Sequence, residues 1–183
     1  MSELYKEIIG DSILKDIIDC LKNDKLTVAM MLTYCAMDAM AFLALPKGQD
    51  FVEKKNFMAW IRRYMKADAS QPYQYQPIDV YSARCGLIHN YGAESALSKC
   101  GKSKIFIYSY GRKNHIFKPT VKPNIVIISV DTFISDFLTA VNRFLVDIEK
   151  DYDLRNRVDS RLKGLFRVIS ESDLGKKVDK EGV

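Results

Sequence analysis

The chain has 183 residues, 48% of them hydrophobic, which is enough apolar material for one packed domain and too little length for two full enzyme domains. Its 28 basic residues against 23 acidic ones leave a net charge of +5, which favours a polyanionic partner such as RNA, DNA or an acidic protein. No opening segment combines a charged start, an apolar run and a small-residue cleavage site, and the apolar stretch from Leu26 to Leu45 carries Asp38 in its middle. The expectation is a soluble, cytoplasmic chain with no membrane contact. Cys20, Cys35, Cys85 and Cys100 are scattered and form no CxxC, so reduced thiols are expected in place of zinc or a disulfide framework.

In chain order, Leu4, Ile8, Ile9, Leu14, Ile17, Ile18 and Leu21 recur at three- and four-residue spacings and predict an amphipathic helix, with Gly10 and Asp11 as its point of interruption. A second helix spans about 26–44, apolar nearly all round and therefore central, closed by Pro46 and Gly48. The segment 50–65 predicts a third, with Phe51, Phe57, Trp60, Ile61 and Tyr64 inward and Lys54, Lys55, Arg62 and Arg63 outward. A loop, "DASQPYQYQP", follows. Pro77 opens a fourth helix that stops near Gly92. The runs "KIFIYSY" and "NIVIISV" then predict a β-hairpin across about 104–130. Asp131 serves as N-cap of a long last helix whose core face is Phe133, Phe137, Leu138, Val141, Phe144, Leu145 and Ile148. The tail after Asp153 is charged, with Leu162, Leu165, Phe166 and Ile169 as one amphipathic patch and fraying expected after Ser170. The predicted fold is thus mainly α: a bundle of about five helices over 1–152 with an inserted hairpin before the last long helix, and a charged extension over 153–183.

Within the fourth helix, "YSARCGLIHNYG" places Arg84 and His89 at opposite edges of an apolar stripe formed by Ile78, Tyr81, Cys85 and Ile88. On an ideal helix the two lie about 140° apart around the axis and about 7.5 Å along it, so they are not expected to touch within one copy. Two copies packed about a two-fold axis would gather them into one cleft, and Ser82, Gly86 and Asn90 form a ridge of small residues suited to close approach. The plainer reading is structural: arginine and histidine cover a core with stem and ring, pairing with an acid such as Asp38.

Helical order together with Arg84, His89, Asn90 and Tyr91 resembles the HEPN domains, whose ribonuclease members carry an arginine and a histidine four to six residues apart. The resemblance implies a metal-independent endoribonuclease acting as a homodimer with a composite site. It implies a role in limiting growth or defending the cell, as in toxin–antitoxin and phage-defence systems, where an inhibitory protein partner can restrain the enzyme. In such a site His89 moves protons, since imidazole titrates near neutrality, and Arg84 offers a charged fork to the phosphate. Asn90 and Tyr91 support the pair. The products are a 2′,3′-cyclic phosphate and a 5′-hydroxyl. In the nuclease members the residue after the arginine is often polar; here it is Cys85. The alternative is a catalytically inactive HEPN-like module that binds RNA or protein.

Asp38 is the one charge within its helix, so burial demands a partner, with Arg84 and Tyr34 in reach; a solvent-facing position is the other reading. Cys85 and His89 stand at i and i+4, as a thiol and its base would, yet Cys85 sits mid-stripe and reads as packing. "YGRKNH" reads as a turn, with Arg112 and Lys113 as an RNA-phosphate grip and Tyr110 or His115 as a stacking surface. Arg62 and Arg63 read as solvated surface or as further RNA contacts. The Met-rich second helix reads as core. There is no Gly-rich phosphate loop and no HExxH, and no cofactor or metal is expected.

Overall fold

The computed structural model describes residues 3–66 and 74–165. Its first helical stretch is unbroken: α1 (Glu3–Tyr5) leads into a π-helical segment (Lys6–Leu14) and then α2 (Lys15–Lys22). The expected interruption at Gly10 is instead a widening of the turn, and it lets Ile8 and Ile9 both bury before Ile17 takes over the core face. α3 (Leu26–Leu43) follows, and then α4 (Lys54–Trp60), which widens into a π segment (Ile61–Met65). α5 (Pro77–Asn90) starts with Pro77 at its first position and a reciprocal cap between Gln76 and Asp79. α6 (Ala96–Lys99), three short strands, α7 (Val130–Lys150) and α8 (Tyr152–Leu162) complete the described residues.

α3 is long and apolar enough to cross a membrane by length and composition, but half of it is buried inside the fold. Tyr34, Met37 and Met40 are sealed against the other helices, as expected for a central helix. Trp60 stacks against Phe137 and Phe144 at 6.1 Å, and Tyr64 against Phe144 at 5.1 Å, so α4 with its π extension is welded to α7 by rings. Leu154, Val158 and Leu162 of α8 join the same core, which draws the first part of the charged extension into the bundle. Phe166, Ile169 and Ser170 lie outside the described residues, as do residues 68–73 of the "DASQPYQYQP" loop.

Three expectations are corrected. Phe51 is 82% exposed, because α4 begins only after the Glu53 cap and leaves Phe51 in the preceding loop. The N-cap of α7 is Ser129, whose hydroxyl accepts from Thr132 N–H; β3 runs directly into the helix, so capping falls two residues before Asp131. The strand runs also do not pair as a simple hairpin. β1 (Ile105–Ser109) lies parallel to β3 (Ile125–Ser129), in register from Ile105↔Ile125 to Ser109↔Ser129. The antiparallel partner of β3 is the two-residue β2 (Ile116–Phe117), giving the order β1-β3-β2. The long connection after β1 reverses early enough to supply its own strand, and β1 is left to the far edge of β3. The expected class, mainly helical with a small sheet before the last long helices, is what the structure shows.

Candidate functional site: an Asp38–Arg84–His89 chain

The N-terminal half of α5 is held by its side chains. Asp79 accepts from the Lys104 N–H at 2.7 Å, and Ser82 Oγ bonds to Ser95 Oγ at 2.6 Å and accepts from Ser103 Oγ at 2.7 Å. These bonds fasten the helix to the segment that enters β1. Beyond Asn90 the chain turns through Tyr91, at φ 51, and folds back along its own helix; Gly92 N–H donates to Gly86 O at 3.0 Å. A Cβ on Gly86 would stand 2.9 Å from the carbonyl oxygens of both Gly92 and Glu94. The close approach that Gly86 permits is therefore made by the chain's own 92–94 backbone, and the Ser82–Gly86 ridge is covered from within.

Arg84 and His89 meet in a single copy. Arg84 Nη1 lies 2.8 Å from His89 Nε2. The side chain spans the angular gap that an ideal-helix projection leaves open, because a guanidinium sits far from its Cα. Arginine has no acceptor, so Nε2 must accept, and His89 in this arrangement is neutral with its proton on Nδ1. The other edge of the guanidinium goes to α3: Arg84 Nε and Nη2 both donate to Asp38 Oδ2, at 2.7 and 2.5 Å. The paired side chains are 21% and 28% exposed, while His89, Asn90 and Tyr91 are exposed at the helix end. Burial raises the Asp38 carboxyl above its ordinary range, and the Arg84 guanidinium pulls it back. Burial lowers Arg84, but the Asp38 carboxylate outweighs it, so the arginine stays charged.

Beside Cys85 stand three residues not singled out from sequence, Lys54, Phe57 and Tyr81. Cys85 Sγ is 4.0 Å from Arg84 Nη1, Lys54 Nζ stands 5.8 Å over the Tyr81 ring, and Phe57 meets that ring edge-on at 5.7 Å. Tyr81 carries a sequence signal, being one turn before Arg84 on the same helix; Lys54 carries none, since only the packing of α4 against α5 brings it close.

The remaining candidates lie elsewhere. Arg62 is exposed, and Arg63 is engaged by Asp147 of α7 at 2.7 Å. Arg112 and Lys113 are exposed at the start of α7, their carbonyls accepting from Ser129 Oγ and Thr132 Oγ1. Tyr110 is 54% exposed beside them. His115 is not a stacking surface: its ring is buried against Tyr75 and its Nδ1 accepts from Ser129 N–H at 3.0 Å. Among the described residues, no three His, Cys, Asp or Glu side chains are gathered to hold a metal ion. Comparison with family models, curated proteins and solved structures finds no match to this chain.

Proposed function

We propose that the chain is an endoribonuclease of HEPN type that cuts RNA at the Arg84–His89 pair without requiring a metal ion. The observation that carries this reading is the 2.8 Å contact between Arg84 Nη1 and His89 Nε2, backed by Asp38 and lying at an exposed helix end. Metal-free RNA cleavage needs a base for the 2′-hydroxyl proton, positive charge on the phosphorane and an acid for the departing 5′-oxygen. An arriving phosphate competes with His89 for Nη1; when Nη1 donates to a phosphate oxygen instead, the Nε2 lone pair is freed. His89 then takes the 2′-hydroxyl proton, and the resulting oxyanion attacks the adjacent phosphorus. The P–O5′ bond breaks, the 5′-oxygen takes a proton from solvent water, a cyclic 2′,3′-phosphate remains, and the imidazolium of His89 returns its proton to the hydroxide so formed. Asp38 holds Nε and Nη2 so that the phosphate-facing edge is presented without loss of orientation.

In the same reading two copies pair and present their exposed α5 ends to one RNA, while Arg62, Arg112 and Lys113 meet more distant phosphates and give affinity its salt dependence. A growth-limiting or defensive role accompanies the HEPN reading. The test is cleavage of total RNA in EDTA by the parent and by His89→Ala, both first shown to be folded and compared for oligomeric state. Loss of cleavage in the variant alone supports the enzyme.

One observation favours a second reading, a catalytically silent module that binds RNA or protein. Two edges of the guanidinium are already satisfied, by Asp38 and by His89, and the side chain is only 21% exposed. Here the pair is structural, and His89→Ala leaves RNA binding intact with no cleavage by either protein.

A further inference from the structure

A hollow of about 220 Å³ lies where the start of α3, the last turn of α5, the end of β1 and the start of α7 meet. Leu26, Met30, Leu87 and Val130 give it an aliphatic lining, and Tyr108 and Tyr110 add aromatic rings. Among the described residues no carboxylate or cationic side chain lines it. The Tyr108 ring is held in place, its hydroxyl meeting that of Tyr34 at 2.7 Å. Tyr110 is 54% exposed, and no bond holds its side chain among the described residues. The volume equals roughly seven waters at about 30 Å³ each, room for one flat ring system.

Tyr110 also lines the open cleft at the start of α7, where Arg112 and Lys113 are exposed. Their carbonyls are engaged by α7, but neither side chain has a partner among the described residues. The two acids of that cleft are occupied: Asp131 accepts from Gly111 N–H at 3.3 Å, and Asp136, 7% exposed, faces His115 Nε2 at 3.7 Å. Hollow and cleft therefore share one exposed ring, with two uncommitted cations beside it. Cations beside an exposed ring are how proteins hold an unpaired nucleic-acid strand, the cations meeting phosphates and a base stacking on the ring. The occupant that fits has apolar faces and is tethered to negative charge, as a nucleobase on its phosphate backbone is and an aliphatic side chain of a second copy is not. Leu87 stands three residues after Arg84 and two before His89, so the hollow and the catalytic pair share the last two turns of α5.

We infer that this hollow receives one unpaired base of the RNA strand, stacked on Tyr110, while Arg112 and Lys113 hold adjoining phosphates. The inference takes its RNA from the proposed function and adds what that reading lacks, a contact to a base.

The test uses strands that the proposed chemistry cannot cut, because they lack the 2′-hydroxyl. Fluorescence anisotropy compares a labelled single-stranded oligothymidylate of about eight nucleotides with an abasic strand of the same length and charge. The full-length chain is expected to bind the base-bearing strand about tenfold more tightly. Tyr110→Ala removes the ring, and Thr27→Trp fills the hollow from an exposed position on its rim; each is expected to bring that affinity down to the abasic level. Tyr110→Phe is expected to keep the preference, and Arg112→Ala to weaken both strands alike. Equal affinities for the two strands, no binding of either at low salt, or a preference that survives both Tyr110→Ala and Thr27→Trp overturns the inference. A dimer of the unaltered chain that Thr27→Trp dissociates also overturns it, giving the hollow to a second copy. The comparison of strands on the unaltered chain is decisive even where a variant fails to fold. Loss of the base preference leaves the ribonuclease reading standing, and absence of RNA cleavage leaves the hollow standing, so the two fail separately.

Discussion

Gly86 shows how one missing side chain sets the end of α5. Alanine inside a helix is ordinarily favoured over glycine by about 1 kcal/mol, whereas overpacking against an unyielding neighbour costs about 1–3 kcal/mol. The neighbours here are backbone carbonyls of Gly92 and Glu94 at 2.9 Å, so the clash wins. Gly86→Ala is expected to lose about 1–2 kcal/mol in denaturant unfolding; a stabilised variant would show that the 92–94 loop yields freely. The hydroxyls of buried Tyr34 and half-buried Tyr108, 2.7 Å apart, allow a second test. Tyr34→Phe strands the Tyr108 hydroxyl at a cost of about 1–3 kcal/mol, while removing both hydroxyls strands neither. The double variant is therefore expected to be clearly less destabilised than the sum of the singles; strict additivity in the cycle would contradict the bond. At this scale Arg84, His89 and Asp38 could be picked out from the sequence, and of the readings open for Asp38 the structure shows the pairing with Arg84. It misjudged the distance between Arg84 and His89, because a helical projection tracks where side chains start and ignores how far arginine reaches.

Among elements, α8 is tied to the end of α3 by one side chain. Arg161 donates to the carbonyl oxygens of Leu43, Leu45, Pro46 and Gln49, supplying donors that a helix end otherwise lacks. Arg161→Ala is expected to cost about 2 kcal/mol and to raise proteolytic sensitivity in the turn after α3, with Arg161→Lys restoring only part, since one ammonium cannot reach four carbonyls. Unchanged stability in the alanine variant would remove the clamp from any structural role. Helices α3, α5 and α7 were legible because their apolar positions repeat at helical spacing over many residues. The π widening was not, since a wider turn changes the period only locally. The parallel pairing of β1 with β3 was hidden for a different reason: the strand composition of "KIFIYSY" and "NIVIISV" marks both as strands but says nothing of direction, which the intervening β2 decides. Phe51 was misplaced by extending a helical pattern past the residue that caps it.

In the molecule as a whole, α3 is the axis on which the other helices pack, and the tyrosines around it make folding sensitive to high pH. Burial pushes Tyr64 from 10.0 up to about 12, and it raises Tyr34 and Tyr108 as well. A phenol whose folded pKa lies above its unfolded value contributes stability that is complete below 10.0 and is lost as pH rises toward about 12. The denaturation midpoint is expected to fall across that window, and Tyr64→Phe to flatten part of the fall; a midpoint constant through the window would contradict the burial. The composite, two-copy site expected from sequence was motivated by a separation that the single chain already closes. The proposal that two copies pair therefore draws nothing from the small-residue ridge, which the chain's own 92–94 backbone covers.

The most direct measurement is the chemistry of the RNA ends left by the purified chain in EDTA, read by whether fragments accept a 5′ label without prior phosphatase treatment. Direct labelling, 2′,3′-cyclic phosphate on the other end and an untouched DNA control are the expected results for attack by the 2′-hydroxyl at the Arg84–His89 pair. Fragments bearing 5′-phosphate, cleavage that appears only with magnesium, or no fragments at all would contradict it.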